Sequence, residues 1–382
     1  MASGISSSTG NEARPPRSTG GGQRPHFQAS AAALDHRPTD APLCWGLSIG
    51  VAGMLSQMRG VAQAAGFHLE PRKTRLKRIW HWLPLSLVPH SLNVVRDADA
   101  LNARLPPPLI IACGRHSVIP ALCLKDRWGS RTFCVFVQNP LVDPAHFDLV
   151  VAPEHDGVIG DNVISTHGAL HHVNAAVLEA ARQTDAARRL QRPQQPVVTV
   201  LLGGPNRSYG FTRADAGRLI DKLQMVVDRD NAFLIIVSSR RTPPSIRARF
   251  AEEFAGHYVW NHEAENPYLA ALAVADYIVV TCDSVSMTSE AAATGRPVYI
   301  EPLSERLPAR RFRRFQDSFR RDGITRPFEG RLEHWTYIPP DDSARVGAII
   351  RQKLGLPPLQ PPPHTTASAS PVPNLDRSRT EP

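Results

Sequence analysis

The sequence predicts an α/β fold made of two doubly wound, Rossmann-like domains that face a cleft. Short apolar runs rich in Val, Ile and Leu alternate with helix-like segments from residue 43 to residue 303. Uninterrupted apolar strands of this kind are typical of parallel sheets that helices cover on both faces. A Pro-containing stretch at 192–196 divides the alternation into two series, which indicates two domains.

The outer segments of the chain differ in composition from this alternating part. Residues 1–40 are rich in Ser, Gly, Pro and Arg, and residues 357–382 in Pro, Ser and Thr, so both are predicted to be disordered tails. Between them we place an N-terminal domain at 41–191, which would hold an acceptor, and a C-terminal nucleotide-binding domain at 196–356. The 382 residues are enough for two domains of ordinary size.

The first series consists of apolar or extended runs and the helices between them. The predicted strands are 43–49, 67–74, 108–114, 132–138, 147–153 and 162–166. The predicted helices are 50–65, 115–125 and 175–190.

The second series repeats this pattern. Its predicted strands are 197–204, 231–241, 257–261, 276–281 and 297–303. Its predicted helices are 213–230, 243–256, 266–275 and 286–294. Apolar residues every three to four positions indicate the first of these helices, and Pro at the first turn indicates the second.

Charge narrows the choice of partner. The formal net charge of +9 favours a phosphate-bearing substrate or an anionic membrane surface, although an Arg-rich proteome would give the same value. The chain has no helix-turn-helix spacing, zinc-finger pattern or RNP-like aromatic run, so no nucleic-acid partner is predicted.

Cysteine usage and hydropathy indicate the compartment. Five scattered Cys without a CxxC pair are typical of free thiols in a reducing environment. There is no apolar run of about 18 residues and no secretory signal. A cytoplasmic location is predicted, with peripheral attachment to the inner membrane as a further option.

Ligands of doubly wound sheets bind outside the carboxyl ends of the strands, so the loops at those ends are the candidates. GGPNRSYGFT follows the strand at 197–204; Gly203 and Gly204 permit close backbone approach, and Asn206 supplies a donor. The loop is neither a Walker motif nor GxGxxG. We predict that it cradles phosphate or ribose, the alternative being an ordinary βα loop.

The next strand ends in SSRRTPP. Arg240 and Arg241 would leave the sheet at the edge of the cleft, where Arg suits bidentate contacts to phosphate. The alternative is a solvated Arg pair.

The stretch TCDSVSMTSEAAATGRPV supplies a third loop. Ser284 or Ser286 is a natural N-cap, and Gly295 is a natural helix stop. Met287 stands where a capping box would need Ser or Thr, so Glu290 lacks a local partner. We predict that the helix start binds a diphosphate and that Glu290 accepts the hydroxyls of a ribose, the alternative being a well-capped structural helix. The predicted donor-binding residues are Gly203, Gly204, Asn206, Arg240, Arg241, Ser284, Ser286, Met287 and Glu290.

In the first domain, EHDG follows the strand at 147–153. Asp156 or His155 is the predicted general base towards an acceptor hydroxyl. The nearby His167, His171 and His172 raise the alternative of a metal site, but no paired-Cys spacing supports zinc, and no metal is predicted.

Two basic stretches remain. Residues 72–85 interleave cations with Trp80 and Trp82, a composition that suits a membrane interface; the alternative is a surface loop that packs its Trp side chains on the domain. Residues 306–321 carry Phe at helical spacing, which indicates a packed stripe, with arginines that face a cleft or phospholipid.

The sequence resembles a known family in four stretches: EHDGVIGDNVISTHGALHHV, LLGGPNRSYGFT, SSRRTPP and NPYLAALAVADYIVVTCDSVSMTSEAAATGRPVYI. They are similar to the mitochondrial-fission (elongated-mitochondria) family of plants and its bacterial relatives, over roughly residues 43–356. The resemblance implies a GT-B-like fold. Plant members are associated with recruiting a dynamin-related protein to mitochondria, and bacterial relatives are often labelled as sugar-nucleotide enzymes. The chain departs from the family-like loop TDGKAGH, because LSIGVAGM places Ile49, Val51 and Met54 where Asp, Lys and His would stand.

These observations predict a GT-B-like protein that binds a nucleotide-sugar and transfers a hexosyl-type sugar to a cell-envelope-related acceptor. The nucleotide-sugar is the substrate, and no cofactor is predicted, because the helix start with Arg240 and Arg241 would stabilise the diphosphate leaving group. The alternative is a non-catalytic adaptor of the same family that recruits a protein partner. An epimerase is disfavoured, because no GxxGxxG opens the first domain and no YxxxK is present.

Overall fold

The computed structural model describes residues 41–96 and 98–359. The tail predicted at 1–40, and all but the first three residues of the tail predicted at 357–382, lie outside these ranges.

The first half of the molecule is built on a six-stranded parallel sheet with the strand order β2-β1-β5-β6-β7-β8. Its strands, with the small antiparallel pair β3–β4 beside them, are β1 (Leu43–Ser48), β2 (His68–Lys73), β3 (Arg75–Leu76), β4 (Val95–Arg96), β5 (Leu109–Cys113), β6 (Phe133–Val137), β7 (Leu149–Pro153) and β8 (Val163–Thr166).

Both faces of this sheet are covered, which explains why its inner strands β5, β6 and β7 are apolar without interruption. Alternate residues such as Trp45 and Ile110 pack under helix α2 (Val118–Trp128). The residues between them, such as Cys44 and Ile111, pack under helix α1 (Ala52–Ala64). Successive side chains of a strand point to opposite faces, so a sheet covered on both sides needs an apolar residue at every position.

The second half repeats the plan with the order β11-β10-β9-β12-β13-β14, again all parallel. Its strands are β9 (Val197–Leu202), β10 (Phe233–Ser238), β11 (Tyr258–Val259), β12 (Tyr277–Thr281), β13 (Val298–Glu301) and β14 (Thr325–Pro327). The helices of the rest of the chain are α3 (Ala175–Arg182), α4 (Asp185–Leu190), α5 (Arg213–Asp230), α6 (Pro244–Glu253), α7 (Tyr268–Val274), α8 (Val285–Ala292), α9 (Arg310–Arg321) and α10 (Asp342–Lys353). The predicted α/β fold of two Rossmann-like, doubly wound halves in a GT-B-like arrangement is confirmed.

Some elements differ from the predicted ones. The helix predicted at 175–190 is divided into α3 and α4, because the Thr184 hydroxyl accepts a hydrogen bond from Ala187 N (3.2 Å) and starts a new helix. The Phe residues of α9 form a packed stripe, with Phe315 and Phe319 buried. Neither α10 nor β14 was predicted.

The two halves exchange helices. Helices α3 and α4 precede β9 in the chain, yet they contribute to the core that covers one face of the second sheet. Helix α10 follows the second sheet and packs on α1, so closely that a Cβ on Gly347 would lie 2.4 Å from the carbonyl carbon of Ala64. Because each half contributes a helix to the other, the domain boundaries at 41–191 and 196–356 stay a prediction.

The tight packing of α1 leads to a test at Gly60. A Cβ at this position would lie 2.0 Å from the backbone oxygen of His171, so Gly60→Ala must push α1 away from that loop. We expect a loss of about 1–3 kcal/mol in the free energy of unfolding, measured by chemical denaturation. The matched control is Gly217→Ala in α5, whose Cβ would meet Arg249 at an ordinary 3.5 Å and should gain up to about 1 kcal/mol from helix propensity. Equal effects of the two substitutions would contradict this packing.

Candidate functional site

The turn after β9 closes around the side chain of Asp283. The Oδ2 atom of Asp283 accepts a hydrogen bond from Gly204 N (3.0 Å), and its Oδ1 atom accepts one from the Thr281 hydroxyl (2.7 Å). A Cβ on Gly203 would lie 2.0 Å from Asp283 Oδ1, so this approach requires glycine. Asp283 thus fastens the loop after β9 to the start of α8.

Two of the predicted donor-binding side chains take part in the same junction. Arg241 pairs with Asp283 (Nη2 to Oδ2, 2.7 Å) and donates to the carbonyl of Gly204 (2.6 Å). Asn206 donates to the Asp283 carbonyl (3.1 Å), and its side-chain oxygen accepts from the backbone N–H groups of Ser208 and Tyr209. The predicted residues do lie together, but much of their hydrogen-bonding capacity is used within the protein.

Arg240 differs from its neighbour. Its side chain is exposed and makes no ion pair or hydrogen bond with any residue that the structure describes. Of the two adjacent arginines, Arg240 is therefore the one whose guanidinium is free for a ligand.

The start of α8 has the geometry that its sequence predicts. Ser284 is the N-cap and accepts from Met287 N (3.3 Å), and Gly295 follows the helix end with φ +71°. The backbone N–H groups of Val285 and Ser286 have no partner among the described residues. The helix start therefore presents two free donors.

A second helix start faces this one. A Cβ on Gly53, in the first turn of α1, would lie 3.7 Å from Ser286 Oγ. The N-cap of α1 is Val51, which has no capping side chain, and the N–H groups of Ala52, Gly53 and Met54 have no partner in the described part of the chain. The N-termini of α1 and α8, one from each half, thus come together with uncapped N–H groups on both sides.

The start of α1 was not among the predicted site residues. The stretch LSIGVAGM drew attention only because it lacks the charged residues of the family-like loop. A small residue at 53, directly after the first strand of a doubly wound domain, is the signal that could have indicated a close approach of backbone to a ligand.

Glu290 lies one turn behind the start of α8 and is buried, with 7% of its surface exposed. Its Oε1 atom accepts from the Ser56 hydroxyl (2.6 Å) and its Oε2 atom from the Tyr268 hydroxyl (2.6 Å). Because Ser56 gives its only proton to Glu290, its oxygen accepts from His172, which lies 2.8 Å away through Nδ1. That Glu290 binds a ribose stays a prediction, since the two hydroxyls that it binds in this structure belong to the protein.

The EHDG loop contacts the second half rather than open solvent. Asp156 pairs with Arg311 of α9 (Oδ1 to Nε, 2.7 Å), and the ring of His155 packs edge-on against Phe315 (5.7 Å between centroids). Burial raises the pKa of Asp156, opposed by Arg311, whereas burial and then Arg311 lower the pKa of His155 to about 4. His155 Nε2 is buried without a hydrogen-bond partner. The two candidate bases stay predictions.

The four neighbouring histidines, His155, His167, His171 and His172, make separate contacts with the rest of the protein. His167 stacks on Phe319 (4.8 Å), and His171 Nδ1 contacts the Val173 carbonyl (3.0 Å). Across residues 41–96 and 98–359, no three His, Cys, Asp or Glu side chains are arranged to hold a metal ion. Over the same ranges, no helix combines the length and apolar character that crossing a membrane requires.

The two parallel-sheet halves and their meeting strand ends define a protein of the GT-B-like class. The chain belongs to the mitochondrial fission ELM1 family, whose sequence profile matches residues 52–354. It is 30% identical to the mitochondrial fission protein ELM1 of Arabidopsis thaliana over 277 residues, which are 65% of this chain and 64% of the plant protein. The match therefore spans less than two thirds of that relative's length. An uncharacterized protein of Rickettsia prowazekii is 26% identical over 289 residues, which are 66% of this chain and 81% of that protein.

Among known structures, the chain is similar to UDP-GlcNAc 2-epimerase from Methanocaldococcus jannaschii. The TM-score is 0.47 with 10% identity, over 81% of this chain and 99% of the epimerase.

The Glu290 cluster predicts a specific cost for removing one hydroxyl. Tyr268→Phe keeps the ring and leaves Glu290 Oε2 without its donor, so we expect a loss of about 1–3 kcal/mol in the free energy of unfolding by denaturant titration. Tyr258→Phe is the matched control, because within the described residues the Tyr258 hydroxyl has no hydrogen bond. Its effect should stay within about 0.5 kcal/mol. A harmless Tyr268→Phe would show that Glu290 does not need this donor.

The lowered pKa of His155 predicts a contribution to acid sensitivity. Between pH 6.5 and about 4, the unfolded chain binds a proton at this position and the folded chain does not, so the free energy of unfolding falls as pH falls through this range. His155→Phe keeps an aromatic ring beside Phe315 and removes the titration. We expect the variant to lose roughly 1 kcal/mol less than the wild type between pH 7 and pH 5, allowing for solvent screening, in denaturation at both pH values. Equal losses in the two proteins would contradict the assignment.

Proposed function

We propose that the protein binds the diphosphate of a nucleotide-sugar between the N-termini of α1 and α8 and transfers a hexosyl-type sugar to a cell-envelope-related acceptor. One observation carries the proposal: two helix starts from different halves face each other with uncapped N–H groups. Each helix N-terminus is equivalent to roughly half a positive charge, and such sites bind phosphate groups.

The local charges support an anionic ligand at this point. Neither helix carries an acidic residue in its first turn. Asp283, which directly precedes the N-cap of α8, is neutralised by its ion pair with Arg241. Arg240 is unpaired and follows β10, whose carboxyl end lies at the same edge of the sheet as the loop after β9. A diphosphate would thus find free N–H donors and the unpaired Arg240 at helix starts whose first turns carry no acidic residue.

Glu290 would contribute to binding the nucleoside part of the ligand. An ionised carboxylate has about four acceptor positions, and two of them are occupied by Ser56 and Tyr268. Ribose hydroxyls would take the remaining positions or replace these two donors, since they offer the same chemistry.

The transfer step would use the same groups. The acceptor oxygen forms a bond to the anomeric carbon while the bond from that carbon to the diphosphate oxygen breaks. The N–H groups of both helix starts stabilise the charge that develops on the leaving diphosphate. The acceptor proton passes to Asp156 or His155. Burial raises the pKa of Asp156, and a carboxylate with a raised pKa is a stronger base than an ordinary carboxylate.

A second function is favoured by a separate observation. The loop after β1 presents the apolar side chains of Ile49 and Val51, both partly exposed, in place of charged ones. Such a surface suits a non-catalytic adaptor that keeps the fold and recruits a protein partner.

A pair of substitutions at one residue tests the proposed binding site. Thermal unfolding is measured with and without UDP-, GDP-, ADP- and CMP-sugars, and the Tm of the wild type should rise with one of them. Gly53→Ala adds a Cβ at an ordinary contact distance and should keep this response. Gly53→Asp places a carboxylate between the helix starts, which favours the helix itself but repels a diphosphate, so the affinity should fall at least about tenfold.

Each outcome of this experiment distinguishes the candidates. An unchanged Tm of Gly53→Asp without ligand, together with loss of the ligand response, supports the site between the helices. A response that survives Gly53→Asp places the ligand elsewhere. No response of the wild type to any of the four nucleotide-sugars favours the adaptor.

A further inference from the structure

The segment after β2 exposes three large apolar side chains that no other part of the described structure covers. Trp82 is 87% exposed, Ile79 71% and Leu87 65%. Lys77 and Arg78, also exposed, lie beside them in the sequence. We name these five residues the 77–87 patch.

The charge of this segment has one sign. From residue 71 to residue 96 there are six Lys and Arg and no Asp or Glu. Arg72 pairs with Glu70, which lies just outside the segment, whereas Lys77 and Arg78 make no ion pair within the described residues. The apolar side chains are therefore surrounded by positive charge that the protein itself does not neutralise.

The patch is held in place by contacts on its inner side. Leu85 and Val88 are buried, and Trp80 packs against the core of the first half. Leu76 N donates to His116 Nδ1 (3.2 Å), and Arg115 donates to the Leu83 carbonyl. Of the two tryptophans in this stretch, Trp80 packs on the domain, whereas Trp82 projects into solvent.

We propose that the 77–87 patch docks on the surface of a bilayer that contains anionic phospholipid. Trp favours the headgroup region, aliphatic side chains favour the acyl boundary, and Lys and Arg bind anionic headgroups. Ile79 and Leu87 lie in two short 3₁₀ turns, Arg78–Trp80 and Leu85–Leu87, and Trp82 lies in the chain between them, so the three apolar side chains come from separate points. A bilayer accepts separate apolar side chains, whereas a protein partner would need a pocket for each.

The basic helix α9 is a weaker candidate for the same role. Arg311 and Arg313 are already close to Asp156 and Glu305, and the Phe side chains of the helix point into the core. Helix α9 offers charge without exposed aromatic side chains. The inference about the 77–87 patch does not depend on nucleotide-sugar binding.

Vesicle co-sedimentation of the full chain tests the proposal. The wild type should bind phosphatidylcholine vesicles that contain phosphatidylglycerol and should bind pure phosphatidylcholine at least about tenfold more weakly. Trp82→Ser and the double variant Lys77→Glu/Arg78→Glu should each weaken binding by about tenfold or more. All of these side chains are exposed, so the Tm should not change.

Two matched controls locate the surface. Ile338→Ser removes an equally exposed apolar side chain (90%) from the second half, and Arg320→Glu/Arg321→Glu makes the same charge change on α9. Both should bind like the wild type. Loss of binding in the α9 variant with retention in Trp82→Ser would overturn the proposal, as would absence of binding to anionic vesicles or equal binding to both vesicle types.

Fluorescence provides an independent measurement. Brominated lipids should quench the wild type more than Trp82→Phe, because Trp82 would enter the bilayer. Equal quenching of the two proteins on vesicles that bind both would show that another face is in contact and would overturn the assignment.

Discussion

The hydrogen bond from Ser56 to Glu290 determines how the two halves of the molecule meet. It joins α1 to α8 about one turn behind the start of each helix, over 2.6 Å. A buried carboxylate that loses a donor is costly, so the bond and the matching one from Tyr268 fix the helices in one relative position. The spacing of the two helix starts is therefore set by polar groups with defined geometry. A ligand between them would meet a preorganised set of N–H donors.

Glycine has a comparable role at two places near the candidate site where another part of the chain approaches closely. At Gly203 the space of a side chain is taken by the Asp283 carboxylate, and at Gly60 it is taken by the loop that carries His171. The first contact closes the loop after β9, and the second holds α1 against the polypeptide that leads out of the first sheet. Both contacts lie near the candidate site, so its shape follows from a small number of positions without a Cβ.

The positions of the strands and helices could be predicted from the sequence better than the roles of individual residues. The strands were predictable because every residue of β9 except Thr199 and every residue of β10 except Ser238 is apolar, as burial on both faces demands. Helix α10 was missed because its first and last turns are charged and its buried residues include Ser343 and Gly347. In the candidate site, the carboxyl ends of the parallel strands indicated that Gly204, Arg241 and Ser284 lie at one edge of the second sheet. That indication could not distinguish Arg240 from Arg241, because the partner of Arg241 lies 42 positions away in the chain.

The packing of α10 on α1 has a consequence for biosynthesis. Val346 and Ile350 belong to the same buried cluster as Val61 and Phe67, although about 280 residues separate the two helices in the chain. At roughly 5–20 residues per second, a ribosome needs about 15–55 s to cover that distance. One face of the first sheet must stay partly uncovered during this time, so the nascent first half has an interval in which chaperones or a membrane surface could reach apolar residues that the finished protein conceals.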